Sequence, residues 1–177
     1  MEILKLIEKA ATKGKNRFLV IGGHALNIHG ISRTTGDLDL MVEASERGFW
    51  RQLLTDLRYT IYQESSSFIQ TTPSEIAAWP IDLMLVNKET MEKALADAHY
   101  TELFGTRTPF ASVGNLIAMK LHSLKYEQAE RTQKDQGDLL ALLKIATLPL
   151  NSEPFRQLCL KYANVTVYER LIKLNNS

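Results

Sequence analysis

The sequence predicts an α/β (α+β) fold, in which a mixed β-sheet flanked by helices precedes a helical C-terminal part. Two observations support this prediction. Short apolar runs rich in β-formers alternate with amphipathic helical patterns over the first 111 residues. From Ser112 onward only helical patterns occur, with no repeat and no long linker. We therefore expect a core domain over residues 1–111 and a helical subdomain over residues 112–177, packed on that core.

Each element of the first part is predicted from its apolar spacing and from the residues that interrupt it. Lys13–Asn16 and Gly22–Gly23 are breaks between elements. Pro109 lacks the amide that a central strand needs, so we expect an edge strand around it. The predicted elements are a helix over 2–12, a strand over 17–21, a short helix over 24–29, a strand over 38–42, a helix capped by Ser45 with Phe49, Leu53, Leu54 and Leu57 inward, a strand pair over 59–63 and 67–71, a strand over 81–86, a helix over 88–98 and the edge strand over 107–111.

The second part is predicted to consist of helices. Residues 112–124 begin with a serine cap and continue as an amphipathic helix. A further helix is expected over residues 136–146, and residues 155–174 are expected to add one or two more. Cys159 lies in an apolar run, so we interpret it as a core residue rather than a nucleophile.

Composition limits the classes of protein that remain open. The chain is 45% hydrophobic and carries a net charge of +1, which gives no overall attraction to nucleic acid or to a membrane. A single cysteine excludes an internal disulfide and a cysteine-rich zinc site. No apolar stretch reaches the roughly 18 residues of a membrane span, and the N-terminus is unlike a signal peptide. We expect a soluble, cytoplasmic protein.

The most informative motif is a pair of aspartates, Asp37 and Asp39, that follows the glycines Gly22 and Gly23. On a strand, residues two apart point to the same face, about 6.6 Å apart. Two carboxylates so placed can hold metal ions that lie about 3.5–4 Å from each other. The alternative is a turn aspartate followed by a strand aspartate that faces solvent.

Two further features give this pair a context. Gly22 and Gly23 end a strand and start a helix, where glycine lets phosphate oxygens approach backbone amides. Asp82 lies on the otherwise apolar face of the strand 81–86 and needs a partner there. If that strand lies beside the strand 38–42, three carboxylates converge. The alternative partner for Asp82 is an arginine or a lysine.

Together these residues resemble the DNA polymerase β-like nucleotidyltransferase superfamily. The stretch from Gly22 to Gly30, Gly-Gly-His-Ala-Leu-Asn-Ile-His-Gly, and the stretch from Arg33 to Asp39, Arg-Thr-Thr-Gly-Asp-Leu-Asp, are most similar to the AbiEii-type toxin branch. The patterns of that branch are G-G-x-A-x-x-x-H-G and R-x-T-x-D-x-D. Its L-x-x-x-K-L and K-D-x-x-D-L patterns match the chain around Lys120 and from Lys134 to Asp138. The resemblance covers residues 18–143.

The resemblance implies a nucleotidyltransferase-like fold and a metal-dependent transfer of a nucleoside monophosphate from a nucleoside triphosphate to an acceptor. It implies two Mg²⁺ ions, with Mn²⁺ as the alternative ion. Asp37 and Asp39 would ligate both, and Asp82 would join the metal nearer the acceptor and accept the proton of the attacking hydroxyl. The candidate nucleotide-binding residues are Gly22, Gly23, His24, Arg33, Lys120, Lys134 and Asp138.

Purely structural roles for these residues stay open. Arg33 would be an exposed loop residue, Lys120 would extend along an apolar surface, and Lys134 and Asp138 would pair with each other. The chain departs from the superfamily pattern at Gly23, which replaces a serine, so a hydroxyl contact to phosphate is expected to be lost. The chain is also shorter than full-length AbiEii toxins, which leaves the acceptor open.

Three acceptors are open: RNA or tRNA, a protein side chain, or a small molecule such as an antibiotic. The near-neutral charge argues weakly against extensive nucleic-acid contact. The expected biological context is a toxin–antitoxin or phage-defence system, with a cognate antitoxin or toxin as partner. The alternative function is a non-catalytic partner-binding module of such a pair. A third alternative is a structural domain in which every one of these acids is salt-bridged.

Overall fold

The structure, a computed structural model, describes the backbone of residues 2–126 and 129–175. The chain forms two compact units that divide between Ser112 and Val113. In chain order the first unit contains α1 (Glu2–Gly14), β1 (Phe18–Val20), α2 (Gly22–Ile28), β2 (Leu38–Glu43), a 3-10 turn (Ala44–Glu46), α3 (Arg47–Asp56), β3 (Tyr59–Glu64), β4 (Phe68–Pro73), β5 (Ile81–Val86), α4 (Lys88–Ala96), β6 (His99–Leu103) and β7 (Thr106–Phe110).

The seven strands form one mixed sheet in the order β3-β4-β5-β2-β1-β7-β6. Strand β2 lies between β1, to which it is antiparallel, and β5, to which it is parallel. Alternate residues of β5 are buried, because Ile81, Leu83 and Leu85 face the core while the residues between them are partly exposed. The predicted α/β fold with a mixed sheet is confirmed, and the central strands carry the motif residues.

The strand around Pro109 differs from its prediction. It is not an edge strand, because β7 lies between β1 and the unpredicted strand β6. The β1–β7 pairing joins Val20 to Phe110, beyond the proline, so the missing amide does not interrupt it. Strand β6 forms the edge and is mostly exposed, which explains why it lacks an apolar pattern.

The helix after β2 also differs in detail. Ser45 lies in the 3-10 turn and donates a hydrogen bond to Glu43 instead of capping α3. The buried residues of α3 are Trp50 and Leu54, while Phe49, Leu53 and Leu57, which were expected inward, are only half-buried. The helix begins at Arg47, after the 3-10 turn, and not directly after Ser45.

The second unit consists of α5 (Val113–Lys125), α6 (Ala129–Ile145), α7 (Glu153–Tyr162) and α8 (Val165–Asn175). Helix α5 packs against α6, α7 and α8. The buried side chain of Cys159 confirms its interpretation as a core residue, and burial raises the pKa of its thiol to about 12. None of the helices in the described ranges has the length and apolar character that crossing a membrane requires.

Candidate active site

Two of the three predicted carboxylates are cross-strand neighbours. Asp39 in β2 lies directly opposite Asp82 in β5, and because the two strands are parallel, both residues lie near the strand beginnings. Paired strands are about 4.7–4.9 Å apart. Asp37 immediately precedes β2, two residues before Asp39, and all three side chains are partly exposed. The sheet therefore brings the aspartates of β2 and β5 together, as the sequence predicted for adjacent strands.

Gly22 lies close to the side chain of Asp39. It follows β1, and the preceding Ile21 amide donates a 3.0 Å hydrogen bond to the carbonyl of Asp39. Its φ of +62° is in the left-handed region that favours glycine. A Cβ at Gly22 would overlap the Oδ2 atom of Asp39 and lie 2.6 Å from its Cγ. Glycine is therefore required here both by the backbone and by the carboxylate.

Two carboxylates each receive one hydrogen bond from a neutral side chain. The Thr35 hydroxyl donates to Oδ1 of Asp37 at 2.6 Å, and the Gln70 amide donates to Oδ2 of Asp82 at 2.9 Å. Gln70 lies opposite Asp82 in the β4–β5 pairing. Among the residues that the structure describes, Asp82 makes no ion pair with an arginine or lysine, so this alternative from the sequence is not what is observed.

The carboxylates provide a donor set that fits a divalent cation. Carboxylate oxygens are ligands that Mg²⁺ uses, usually one or two together with water and phosphate. As the side chains stand, no group of three or more His, Cys, Asp or Glu residues within the described ranges is gathered closely enough to hold a metal. Asp37 and Asp82 are instead engaged by Thr35 and Gln70, each through one oxygen. These carboxylates are chemically suited to bind Mg²⁺, and their side chains would have to rotate to surround the ion.

His24 lies against the loop that carries Asp37 but is buried. Its ring stacks on Trp79 with centroids 4.9 Å apart and meets the edge of Phe104 at 5.9 Å. Burial lowers the pKa of His24, while the charge of Asp37 and a hydrogen bond to its backbone oppose the shift. The Nε2 atom has no hydrogen-bond partner among the described residues. His24 is therefore a buried ring that packs beside the Asp37 loop, and its contact with nucleotide stays a prediction.

Arg33 lies in the loop between α2 and β2, and Asn27 holds its backbone. The Asn27 side chain accepts from the Arg33 amide at 2.7 Å and donates to the Arg33 carbonyl at 2.9 Å. An asparagine amide can do both because it carries a donor and an acceptor. The two bonds fix the start of the loop that leads to Asp37. Its contact with phosphate remains a prediction.

The C-terminal candidates form a buried ionic cluster within the second unit. Lys120 lies 2.6 Å from Asp135 and 2.7 Å from Asp138, and Ser123 donates a 2.6 Å hydrogen bond to Asp135. Asp138 pairs with Lys120, whereas the alternative interpretation had paired it with Lys134, which lies at an exposed position. Lys120 does not merely extend along an apolar surface, since two carboxylates hold it. Nucleotide contacts of Lys120, Lys134 and Asp138 stay predictions.

Sequence reasoning missed the residues that hold the motif in place. Thr35, Gln70 and Asn27 contact the aspartates or their loop, yet each is a common polar residue on a strand, helix or loop. Thr35 had one available signal, since it occupies the threonine position of the R-x-T-x-D-x-D pattern. For Gln70 the signal would have been the strand register, which the sequence does not contain.

Comparison with known proteins identifies the fold. No protein-family model and no curated protein matches the sequence. Among solved structures, ANT(2")-Ia in complex with adenylyl-2"-tobramycin is similar with a TM-score of 0.65 at 15% identity, over 91% of this chain and 95% of that one. The lincosamide antibiotic adenylyltransferase LnuA, bound to lincomycin, has a TM-score of 0.56 at 18% identity, over 80% of this chain and 95% of that one.

A longer enzyme is similar to this chain over part of its own length. The Megavirus polyadenylate synthase matches with a TM-score of 0.55 at 14% identity, over 81% of this chain but 31% of its own. The structural similarity establishes the fold. Sequence identities at this level do not distinguish the AbiEii-type branch from other branches of the nucleotidyltransferases. Together with the mixed sheet and the placement of its aspartates, these similarities show that the chain has the fold of the nucleotidyltransferases.

Proposed function

We propose that the protein is a metal-dependent nucleotidyltransferase that moves a nucleoside monophosphate from a nucleoside triphosphate to an acceptor hydroxyl and releases pyrophosphate. The observation that carries this proposal is the proximity of Gly22, in the turn after β1, to Asp39 on β2, which lies opposite Asp82 on β5. This arrangement combines a glycine turn with two carboxylates on adjacent strands, and Asp37 immediately precedes β2, two residues before Asp39. Such a donor set suits the cation of a nucleotide complex.

The chain's own residues would divide the work as follows. Asp37 and Asp39 would hold the divalent cation, Mg²⁺ or Mn²⁺, with Asp82 as a further ligand, and the backbone of Gly22 and Gly23 would face the phosphates. Asp82 would accept the proton of the acceptor hydroxyl through the oxygen that Gln70 leaves open. When bound, the cation would neutralise phosphate charge and lower the pKa of the attacking hydroxyl.

The bonds exchanged are simple. A bond forms between the acceptor oxygen and the α-phosphorus, and the bond from that phosphorus to the bridging oxygen of the β-phosphate breaks. The electron pair of the broken bond leaves with pyrophosphate. The hydroxyl proton passes to the carboxylate of Asp82. Positioning of the reactants and stabilisation of charge are what the protein needs to provide.

We further propose a small molecule as the acceptor. The chain spans 95% of ANT(2")-Ia and of LnuA, whose structures contain an adenylylated aminoglycoside and lincomycin, but only 31% of the polyadenylate synthase. The fold described here thus covers nearly all of two proteins whose structures contain small antibiotic molecules. A net charge of +1 also gives the chain no overall electrostatic attraction to RNA.

The test uses each of the four nucleoside triphosphates with an α-³²P label, in the presence of Mg²⁺. Parallel reactions contain total RNA, total protein, or a panel of aminoglycosides, lincosamides and nucleosides. We expect label in a small molecule and its loss in the variant Asp37→Asn/Asp39→Asn. Equal labelling by wild type and that variant would refute the mechanism. Label in RNA or protein would refute the choice of acceptor and retain the reaction.

A further inference from the structure

Thr35 occupies the space in which a side chain at Gly23 would lie. A Cβ built on Gly23 would be 2.6 Å from both the Cβ and the Oγ1 of Thr35, and 3.2 Å from its Cγ2. Gly23 is not among the glycines with positive φ, unlike Gly22. Its backbone would accept another residue, so the glycine is required by Thr35 and not by conformation.

The hydroxyl of Thr35 stands between the glycine turn and the metal-ligand candidate. It donates to Oδ1 of Asp37 at 2.6 Å and lies 3.4 Å from the backbone oxygen of the same residue. The side chain is partly exposed. Thr35 therefore links the turn at Gly23 to Asp37, although it is twelve positions away from Gly23 in the sequence.

A cation would change the partner of this hydroxyl. An ion held by Asp37 and Asp39 competes with the hydroxyl for the lone pairs of Asp37. The nucleotide that accompanies the ion brings phosphate oxygens to the same turn. A hydroxyl group rotates freely about its C–O bond and can donate to whichever acceptor is stronger. A phosphate oxygen is charged and so is the stronger acceptor once the ion has engaged the carboxylate.

We propose that Thr35 is a nucleotide-binding residue, whose hydroxyl takes the place of the one that Gly23 lacks and donates to the β- or γ-phosphate of the bound triphosphate. The inference rests on the proposed nucleotidyltransferase function. It replaces the expectation that the glycine at position 23 removes a hydroxyl contact. The contact is instead supplied from the loop before β2, and position 23 is glycine to make room for it.

The test measures binding by calorimetry. The probe is whichever of ATP, GTP, CTP and UTP the wild type binds most tightly with Mg²⁺, and the reference ligand is the corresponding monophosphate. The variant Thr35→Val keeps the volume and loses the hydroxyl. We expect it to weaken triphosphate affinity about 10-fold or more, as for a lost hydrogen bond to a charged group, and to leave monophosphate affinity unchanged. Thr35→Ser is expected to restore the wild-type affinity to within about twofold.

A reciprocal exchange separates the hydroxyl from the packing. Gly23→Ser alone introduces a side chain into the space of Thr35 and is expected to weaken binding. Thr35→Ala alone loses the hydroxyl. The double variant Gly23→Ser/Thr35→Ala returns one hydroxyl to an uncrowded turn, and we expect it to bind the triphosphate more tightly than either single variant. Thermal melts of all variants establish that each is folded.

The outcomes distinguish this inference from the proposed function. If the wild type binds the triphosphate and Asp37→Asn does not, but Thr35→Val binds as the wild type does, the inference is wrong and the function stands. Equal losses for triphosphate and monophosphate, or a double variant no better than Thr35→Ala, would also overturn it. If the wild type binds none of the four triphosphates, both proposals are wrong.

Discussion

Replacing Gly22 by alanine tests how closely the turn after β1 approaches Asp39. Two costs are expected at this position. An alanine in the left-handed region costs roughly 1–2 kcal/mol. Its Cβ would also overlap the Asp39 carboxylate, lying 2.6 Å from Cγ, and such overpacking costs about 1–3 kcal/mol. The sum is about 2–5 kcal/mol of the free energy of unfolding.

Gly30 is a matched control for the first of these costs. Its φ is +85°, and nothing lies within 4 Å of a Cβ built there. Gly30→Ala should therefore lose only the conformational part, roughly 1–2 kcal/mol. Urea unfolding followed by circular dichroism measures both variants. We also expect Gly22→Ala to lose Mg²⁺-dependent binding of nucleotide, because Asp39 must move, while Gly30→Ala keeps it.

A double-mutant cycle identifies the atoms responsible. Asp39→Ala removes the Cγ and the oxygens that the new methyl group would meet, so Gly22→Ala should cost less in that background than in the wild type. Equal costs of Gly22→Ala in the two backgrounds, or equal costs of Gly22→Ala and Gly30→Ala in the wild type, would refute the close approach of this turn to Asp39.

Three further predictions concern buried or hydrogen-bonded side chains. Lys120→Met leaves two buried carboxylates without the lysine that pairs with them and should lower the free energy of unfolding in urea by about 3–5 kcal/mol. Lys134→Met, at an exposed site, should change it by no more than about 0.5 kcal/mol, and equal losses would refute the ionic cluster around Lys120. The lowered pKa of His24 means that, as the pH falls, the unfolded state binds a proton at this residue before the folded state does, so stability should fall as the pH drops below the ordinary value of 6.5. Thermal melts between pH 8 and pH 5 should show a shallower fall for His24→Gln than for the wild type, and parallel curves would refute this prediction. Gln70→Leu removes the hydrogen bond to Asp82 and should raise the Mg²⁺ concentration for half-maximal nucleotide transfer about 10-fold or more. An unchanged Mg²⁺ dependence would show that Gln70 does not position the Asp82 carboxylate.

Strands with a buried face were predictable, because their apolar residues follow a period. Strand β5 was predicted over the residues that form it, Ile81–Val86, and Asp82 was recognised as an acid on an otherwise apolar face, which the structure shows to be the less buried one. Strand β6 was missed because it is an edge strand with no fully buried residue. Its presence also changed the position of Pro109 from the edge to the interior of the sheet.

The candidate site was predictable in its charged residues and not in the neutral ones that hold them. Asp37 and Asp39 are two positions apart in the sequence, so the chain itself keeps them near each other. The contact of Gln70 with Asp82 depends on the register between β4 and β5, and the contact of Thr35 with Gly23 depends on the path of a loop. Neither register nor path leaves a periodic signal in the sequence.

The central claim is that Asp37 and Asp39 bind the cation that carries a nucleoside triphosphate. Calorimetric titration with each triphosphate, with Mg²⁺ and then with EDTA in its place, tests this claim most directly. A matched control is Asp56→Asn/Asp97→Asn, which removes the same charge from two exposed positions. We predict Mg²⁺-dependent binding by the wild type and by the control, and no such binding by Asp37→Asn/Asp39→Asn. Equal Mg²⁺-dependent affinity in both double variants, or no binding by the wild type, would contradict the account.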